Sequence, residues 1–222
     1  MSDAIPAGAL EHLRGADPVL RGVIDAIEKD GGIGVRGGRR GIDPDDHYGA
    51  LVRSIVGQQL SVIAARSIYA RLVAYFGGHT PSPAEVLAAE PDEMRVAAGL
   101  SRAKTASLRS LAEHVVAGDL ALDRLDALPD EEVVTNLVAV KGIGEWSAHM
   151  FLMFQLERPD VLAVGDLGIR RAAERAYGLD ALPSPAELTA LAEPWRPYRT
   201  LACRILWHWL GNTPVQRPAT PA

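Results

Sequence analysis

Two stretches of this chain hold residues whose types and spacing could do chemistry. The first, Val140-Lys141-Gly142-Ile143-Gly144-Glu145-Trp146, is a glycine-pinched turn between apolar segments. Glycine accepts a positive φ and carries no Cβ to hold a neighbour away. Two glycines around one apolar residue make a tight hairpin, with Ile143 as its anchor in the core. A helix starting near Glu145 then points its unpaired N–H groups outward, where backbone donors and the helix dipole hold a phosphate oxygen. Lys141 adds a point charge beside them. On this reading Gly142→Ala weakens nucleic-acid binding with little loss of folding. The second stretch, Val164-Gly165-Asp166-Leu167, presents a single carboxylate in a turn. Each stretch has a plainer reading too. A G-x-G turn also serves as a helix–turn–helix corner without a ligand, and an aspartate between a glycine and a helix is an ordinary N-cap. For Asp166 the two roles can coexist.

Composition bounds what these residues could serve. The chain has 222 residues, 48% hydrophobic and 23% charged, enough for one domain or two small ones with a substantial core. Charges break every apolar run well short of a membrane span, and the start, MSDAIPAGALEHLRG, lacks the basic and apolar regions of a secretory signal. A cytoplasmic protein with no membrane partner is expected. The single cysteine, Cys203, excludes an internal disulfide and an all-cysteine zinc or iron–sulfur site within the chain. His12, His47, His79, His114, His149 and His208 show no metal-ligand spacing. The net charge of −5 argues mildly against nucleic acid, since tight binders carry a basic face. Yet basic residues cluster at Arg36-Arg39-Arg40, Arg102 and Lys104, Arg170-Arg171, and Arg196 and Arg199. Acidic ones gather at Asp43-Asp45-Asp46 and from Asp126 to Glu132.

The elements that must position the two stretches are helical. Apolar residues recur at helical spacing almost throughout, and period-2 alternation is nearly absent. Ser61 caps a helix running to about Phe76, and Gly77-Gly78 stops it. Further helices are expected over Pro83–Ala89, Asp92–Ala98 and Ala103–Ala117, then over Glu131–Ala139 with Asp130 as its cap. Glu145–Leu156 is apolar all round and reads as a buried central helix. Leu167–Tyr177, Pro185–Ala192 and Arg199–Leu210 complete the set, and residues 213–222 read as a frayed tail. Gly32-Ile33-Gly34-Val35-Arg36-Gly37 spells G-x-G-x-x-G, but no strand precedes it and no helix follows, so it reads as a basic loop.

With the helices in place, the motifs match a known order. L-x-x-V-K-G-I-G-x-W-S-A followed by V-G-D-L-G-I-R-R resembles the helix-hairpin-helix–GPD superfamily of DNA glycosylases. Ile55-Val56-Gly57-Gln58-Gln59-Leu60-Ser61 resembles that family's DNA-probing loop. Gly99-Leu100-Ser101 with Lys104, and Trp195-Arg196-Pro197-Tyr198-Arg199, match two more landmarks, so the likeness covers about residues 45–210. Bifunctional members place a lysine two residues after the hairpin glycines to form a Schiff base with the sugar. Trp146 stands there instead, and tryptophan is no nucleophile. Iron–sulfur members need four cysteines near the C-terminus. Both departures make the chain similar to the monofunctional alkylpurine branch, DNA-3-methyladenine glycosylase II. The short segment before the first landmark implies a compact member lacking most or all of the N-terminal β-sheet domain that some members carry.

The resemblance implies an all-α fold of two helical subdomains with a cleft between them. Residues 1–222 would form one glycosylase unit. Its central subdomain would span 51–160, with the helix-hairpin-helix at 134–156, and 1–50 plus 161–222 would form the second. It implies Asp166 as the catalytic carboxylate and Trp146, Trp195 and Met150 around the flipped base, with core packing as the alternative for the tryptophans. Gln59 would be the wedge that fills the vacated stack, with Gln58 beside it. Gln58, Gln59, Ser61, Lys104, Lys141, Gly142 and Gly144 would touch DNA. The carbonyls of Val138, Val140 and Ile143 would hold a monovalent cation, with no cofactor otherwise required. The expected partner is double-stranded DNA, bound by a monomer. The implied function is hydrolytic excision of alkylated purines such as 3-methyladenine and 7-methylguanine, without AP-lyase activity. The competing reading is a non-catalytic helix-hairpin-helix DNA-binding module. A Schiff-base lyase would need a pocket lysine, and neither Lys104 nor Lys141 stands at that position.

Overall fold

The computed structural model describes residues 5–30 and 46–212, and among them every regular element is helical. The α-helices are α1 (Ala9–Ala16), α2 (Pro18–Lys29), α3 (His47–Gly57), α4 (Val62–Tyr75), α5 (Pro83–Ala88) and α6 (Pro91–Ala98). They continue as α7 (Arg102–Ala117), α8 (Asp130–Val138), α9 (Glu145–Phe154), α10 (Leu167–Tyr177), α11 (Pro185–Leu191) and α12 (Arg199–Asn212). Short 3-10 turns cover Leu122–Ala127 and Glu193–Trp195. The G-x-G-x-x-G stretch, Arg36, Arg39 and Arg40, and the tail 213–222 lie outside the described residues.

Local chemistry sets the boundaries. Ser61 accepts the Ala64 N–H and starts α4. Ser82 and Ser184 form reciprocal capping boxes with Glu85 and Glu187, each followed by a proline in the first turn. Gly99, Gly118 and Gly178 end α6, α7 and α10 in the left-handed conformation. Two expectations need correction. Asp130 lies inside α8 rather than capping it; Pro129 takes the cap position, and Asp130 joins Glu131 and Glu132 as first-turn anions facing the helix dipole. α9 is not buried all round. Ser147, Ala148, Phe151, Leu152 and Met153 are buried, while Trp146 and Phe154 face solvent.

The chain divides into two compact units. One is Arg39–Glu157; the other joins Met1–Gly38 to Arg158–Ala222. All of α3 therefore belongs with the hairpin, where the sequence reading split it at residue 50. In this hairpin unit α7 runs along α5 and also touches α3 and α6, α4 packs on α3 and α6, and α8 pairs with α9. Leu51, Ile55, Leu72, Met94, Leu108, Leu111 and Leu137 form its core. In the other unit, which carries Asp166, α2 packs on α1, α10 and α12, and α10 packs on α12. Leu13, Leu20, Ile24, Ile169, Trp195 and Ile205 are buried there. No helix of the described residues is long and apolar enough to cross a membrane.

Candidate active site and nucleic-acid interface

Asp166 sits at the N-terminus of α10, in extended backbone at φ −74° and ψ 119°. Its Oδ1 accepts the Ile169 N–H at 2.8 Å, so it does cap the helix. Its own N–H donates to the Ala163 carbonyl at 2.9 Å, closing the turn that aims the side chain. A second donor reaches the same oxygen: Trp207 Nε1 on α12, at 2.8 Å. Gly168 makes room for that approach. A Cβ there would lie 3.0 Å from Asp166 Oδ1 and 3.1 Å from Trp207 Cδ1, close enough that the carboxylate or the indole would have to shift. The Ile169 N–H and the Trp207 indole thus help to hold the rotamer of Asp166, while the carboxylate and the indole both stay half-buried. Cys203, on the same helix as Trp207, is fully buried, and burial pushes its thiol up to about 12. It is no thiolate nucleophile.

In the hairpin unit the two glycines differ. Gly142 has φ +84°. A Cβ on it would fall 2.1 Å from Ser107 Oγ and 3.0 Å from Ser107 Cβ. Gly142→Ala therefore disturbs packing as well as any ligand, contrary to the mild folding effect expected from sequence. Gly144 has φ −98° and ψ 172°, extended backbone open to any residue, and caps α9 without a side-chain bond. The N–H groups of the first turn of α9 then lack an intrahelical acceptor. Ile143 is buried as an anchor, and its N–H donates to the Val140 carbonyl at 3.1 Å. Lys141 is exposed, and its backbone N–H donates to Ser110 Oγ at 3.2 Å.

The loop between α3 and α4 is joined to this hairpin. Gln58 Nε2 donates to the Gly142 carbonyl at 2.9 Å. Lys104 Nζ, at the start of α7, donates to the Val56 carbonyl at 2.8 Å, and loss of solvation lowers its pKa. Both side chains, expected to reach DNA, thus have donors engaged within the protein. Gln59 is exposed and holds φ +57°, a left-handed conformation rare for residues with a Cβ. Leu60, Val62 and Ile63 beside it are exposed apolar residues.

Of the expected base-pocket residues, Trp146 is exposed and Met150 half-buried on the same face of α9. Trp195 is a correction. It is fully buried, and its Nε1 donates to Asp17 Oδ2 at 2.8 Å, so its ring packs in the core and cannot stack on a base. Arg196 and Arg199 are likewise engaged: both pair with Asp160, at 2.6 and 2.7 Å, and Arg196 also with Glu193. Sequence reasoning missed Trp207 and Gly168. Trp207 lies on α12, far along the chain from Asp166, and no spacing rule joins a helix-borne indole to a distant turn. Gly168 had a signal, the second glycine of V-G-D-L-G, which a helix interior disfavours unless something approaches closely.

A family model described as HhH-GPD superfamily base excision DNA repair protein matches residues 52–197. The chain belongs to this superfamily. Among HhH-GPD relatives, DNA-3-methyladenine glycosylase 1 of Schizosaccharomyces pombe is 32% identical over 184 residues, covering 82% of this chain and 80% of that protein. A solved 3-methyladenine DNA glycosylase of Schizosaccharomyces pombe, in complex with abasic DNA, is similar at a TM-score of 0.76 and 30% identity. It covers 90% of this chain and 95% of its own. A DNA-3-methyladenine glycosidase of Bacillus halodurans is similar at a TM-score of 0.77 and 34% identity, over 96% and 92% of the two chains. The HhH-GPD match takes in the loop at Gln59, the hairpin and Asp166, and it ends before Trp207.

Proposed function

We propose that this chain is a monofunctional DNA-3-methyladenine glycosylase of the type II class. It removes alkylated, cationic purines such as 3-methyladenine and 7-methylguanine from double-stranded DNA as a monomer and leaves an abasic site. The carrying observation is the Asp166 carboxylate, fixed by the Ile169 N–H and the Trp207 indole N–H. Breaking the bond between C1′ and the purine nitrogen sends the electron pair to the base and leaves an oxocarbenium-like sugar. A neighbouring carboxylate stabilises that charge. Most glycoside hydrolases also need an acid to protonate the leaving group. A purine alkylated at N3 or N7 already carries positive charge and leaves neutral, so one carboxylate suffices. Water then adds to C1′ and gives up its proton on the side where Asp166 waits as acceptor.

A buried target must first leave the stack. The hairpin carries exposed Lys141 and the uncapped first turn of α9, which suit a backbone phosphate in any sequence context, and such binding weakens as salt rises. Gln59 fills the gap left by the flipped base. Trp146 is exposed, and an indole face is a surface on which a cationic purine stacks well. A neutral carbonyl set at Val138, Val140 and Ile143 has the chemistry of a hard-cation site, and a monovalent ion there would brace the turn. Trp146 at the position of the lyase lysine supports hydrolysis without strand cleavage.

The test is base release from methylated duplex DNA. Wild-type protein should release 3-methyladenine, leave alkali-labile abasic sites and form no adduct on borohydride trapping. Tight binding of DNA with no release of any alkylated base would make the chain a binding module. A trapped adduct would make it a lyase.

A further inference from the structure

Three contacts in the hairpin unit converge on the loop that carries Gln59. On its N-terminal side Gln58 Nε2 donates to the Gly142 carbonyl at 2.9 Å and lies 3.5 Å from Ser147 Oγ, on the first turn of α9. Two residues earlier, Lys104 Nζ donates to the Val56 carbonyl at 2.8 Å, satisfying an orphan carbonyl at the end of α3. On the C-terminal side the Leu60 N–H donates to the Gly57 carbonyl at 3.3 Å and Ser61 caps α4. The hairpin rests on the same helix, α7, that carries Lys104. The Lys141 N–H donates to Ser110 Oγ at 3.2 Å, and Gly142 lies directly against Ser107. Between these ties stands Gln59 at φ +57°. A residue with a Cβ is held in that conformation only where its surroundings over-determine it.

We infer that Gln58 is a positioning residue. Its amide joins the loop to the hairpin, so that the phosphate grip of the hairpin sets how far Gln59 enters the base stack. The inference rests on the glycosylase reading above and adds a division of labour between adjacent glutamines: Gln59 probes, and Gln58 fixes the reach of the probe. The Gly142 carbonyl lies one residue from Ile143 and two from the helix end that would face the phosphate. Displacing the loop therefore leaves the phosphate-facing groups intact and uncouples only the wedge. A residue serving folding alone would have no such selective effect.

Gln58→Met keeps length and bulk without a donor. Gln58→Glu keeps shape and places an acceptor against an acceptor. Each variant is compared with wild type by single-turnover excision at saturating protein. One duplex carries the lesion in a normal pair, and the other carries it opposite a mismatch, where flipping costs less. Loss of one hydrogen bond predicts a fall of about 3- to 10-fold on the paired duplex. The fall on the mismatched duplex should be under about 2-fold, and affinity for undamaged duplex should be unchanged. Wild-type rates on the paired duplex from both variants would overturn the inference. So would an equal loss on both duplexes, or a parallel loss of affinity for undamaged DNA. Wild-type protein that releases no base overturns the glycosylase reading itself, and the two failures are told apart by that control.

Discussion

Two aspartates in the Asp166 unit follow one local pattern to different ends. Asp17 caps α2 through Oδ1, taking the Val19 and Leu20 N–H groups at 2.9 and 3.0 Å. Asp166 caps α10 through Oδ1, taking the Ile169 N–H at 2.8 Å. Each also receives an indole N–H at 2.8 Å, from Trp195 and Trp207 respectively. The difference lies in the surroundings. At Asp17 the indole goes to Oδ2, which the Tyr177 hydroxyl also meets, and both the carboxylate and Trp195 are buried. Burial alone would raise the Asp17 pKa, but the bonds from Tyr177, Trp195, Leu20 and Val19 outweigh it and hold the carboxyl below its usual range. At Asp166 the Ile169 and Trp207 donors meet Oδ1, and carboxylate and indole stay half-buried. The same cap-and-indole pattern is enclosed at Asp17 and partly open at Asp166, as the role proposed for Asp166 requires.

Asparagine at the two positions separates them, with the largest effect expected at Asp166. Asp166→Asn retains an Oδ1 that can accept both the Ile169 and Trp207 N–H groups, so folding should be preserved. Loss of the charge should slow base release about 100- to 1,000-fold, in line with removing one group that stabilises developing charge. Unchanged release would remove Asp166 from the mechanism. Asp17→Asn should invert the result. Its amide nitrogen would meet the Trp195 N–H donor to donor in a buried site, costing about 2–3 kcal/mol of stability. Denaturant unfolding would measure that loss, while release per folded molecule stays at the wild-type rate. An activity loss with unchanged stability would break the comparison.

Smaller effects test the indoles and the pH response. Trp207→Phe removes one donor to Asp166 and should slow release about 3- to 10-fold, with a stability change under about 1 kcal/mol. Trp195→Phe should do the reverse, lowering stability with little effect on release. The smallest effect is on acid stability. A depressed folded pKa stabilises the protein above the unfolded value, and this contribution is lost as pH falls through the folded value. The Asp17 contribution should be present above its ordinary value of 3.8 and fade below it. The stability gap between wild type and Asp17→Asn should therefore narrow in acid, and a gap that widens as pH falls would contradict the network.

How much of this was legible beforehand follows from the range of each interaction. The helix start at Ser61 and its stop at Gly77-Gly78 could be read, because caps and left-handed glycines act within a few residues. The hairpin at Gly142 and the cap at Asp166 were legible for the same reason. Asp130 misled because a neighbouring proline competed for its cap position. Trp195 misled because a tryptophan beside a motif looks the same whether it faces a cleft or a buried carboxylate. Gln58 and Lys104 looked like DNA ligands because donors invite partners, and sequence does not say that the partner is a carbonyl of the same unit.

The sequence by itself determined the helical class, the family, the turn that presents Asp166 and the absence of a lysine at Trp146. Each of these depends on residue type and short spacing. Only the tertiary structure decided that Trp207 meets Asp166 over Gly168, that Trp195 belongs to Asp17, and that Gln58 holds the hairpin. Those pairings join residues far apart in the chain. Which donor meets which acceptor there depends on how whole helices pack, and no local pattern encodes it.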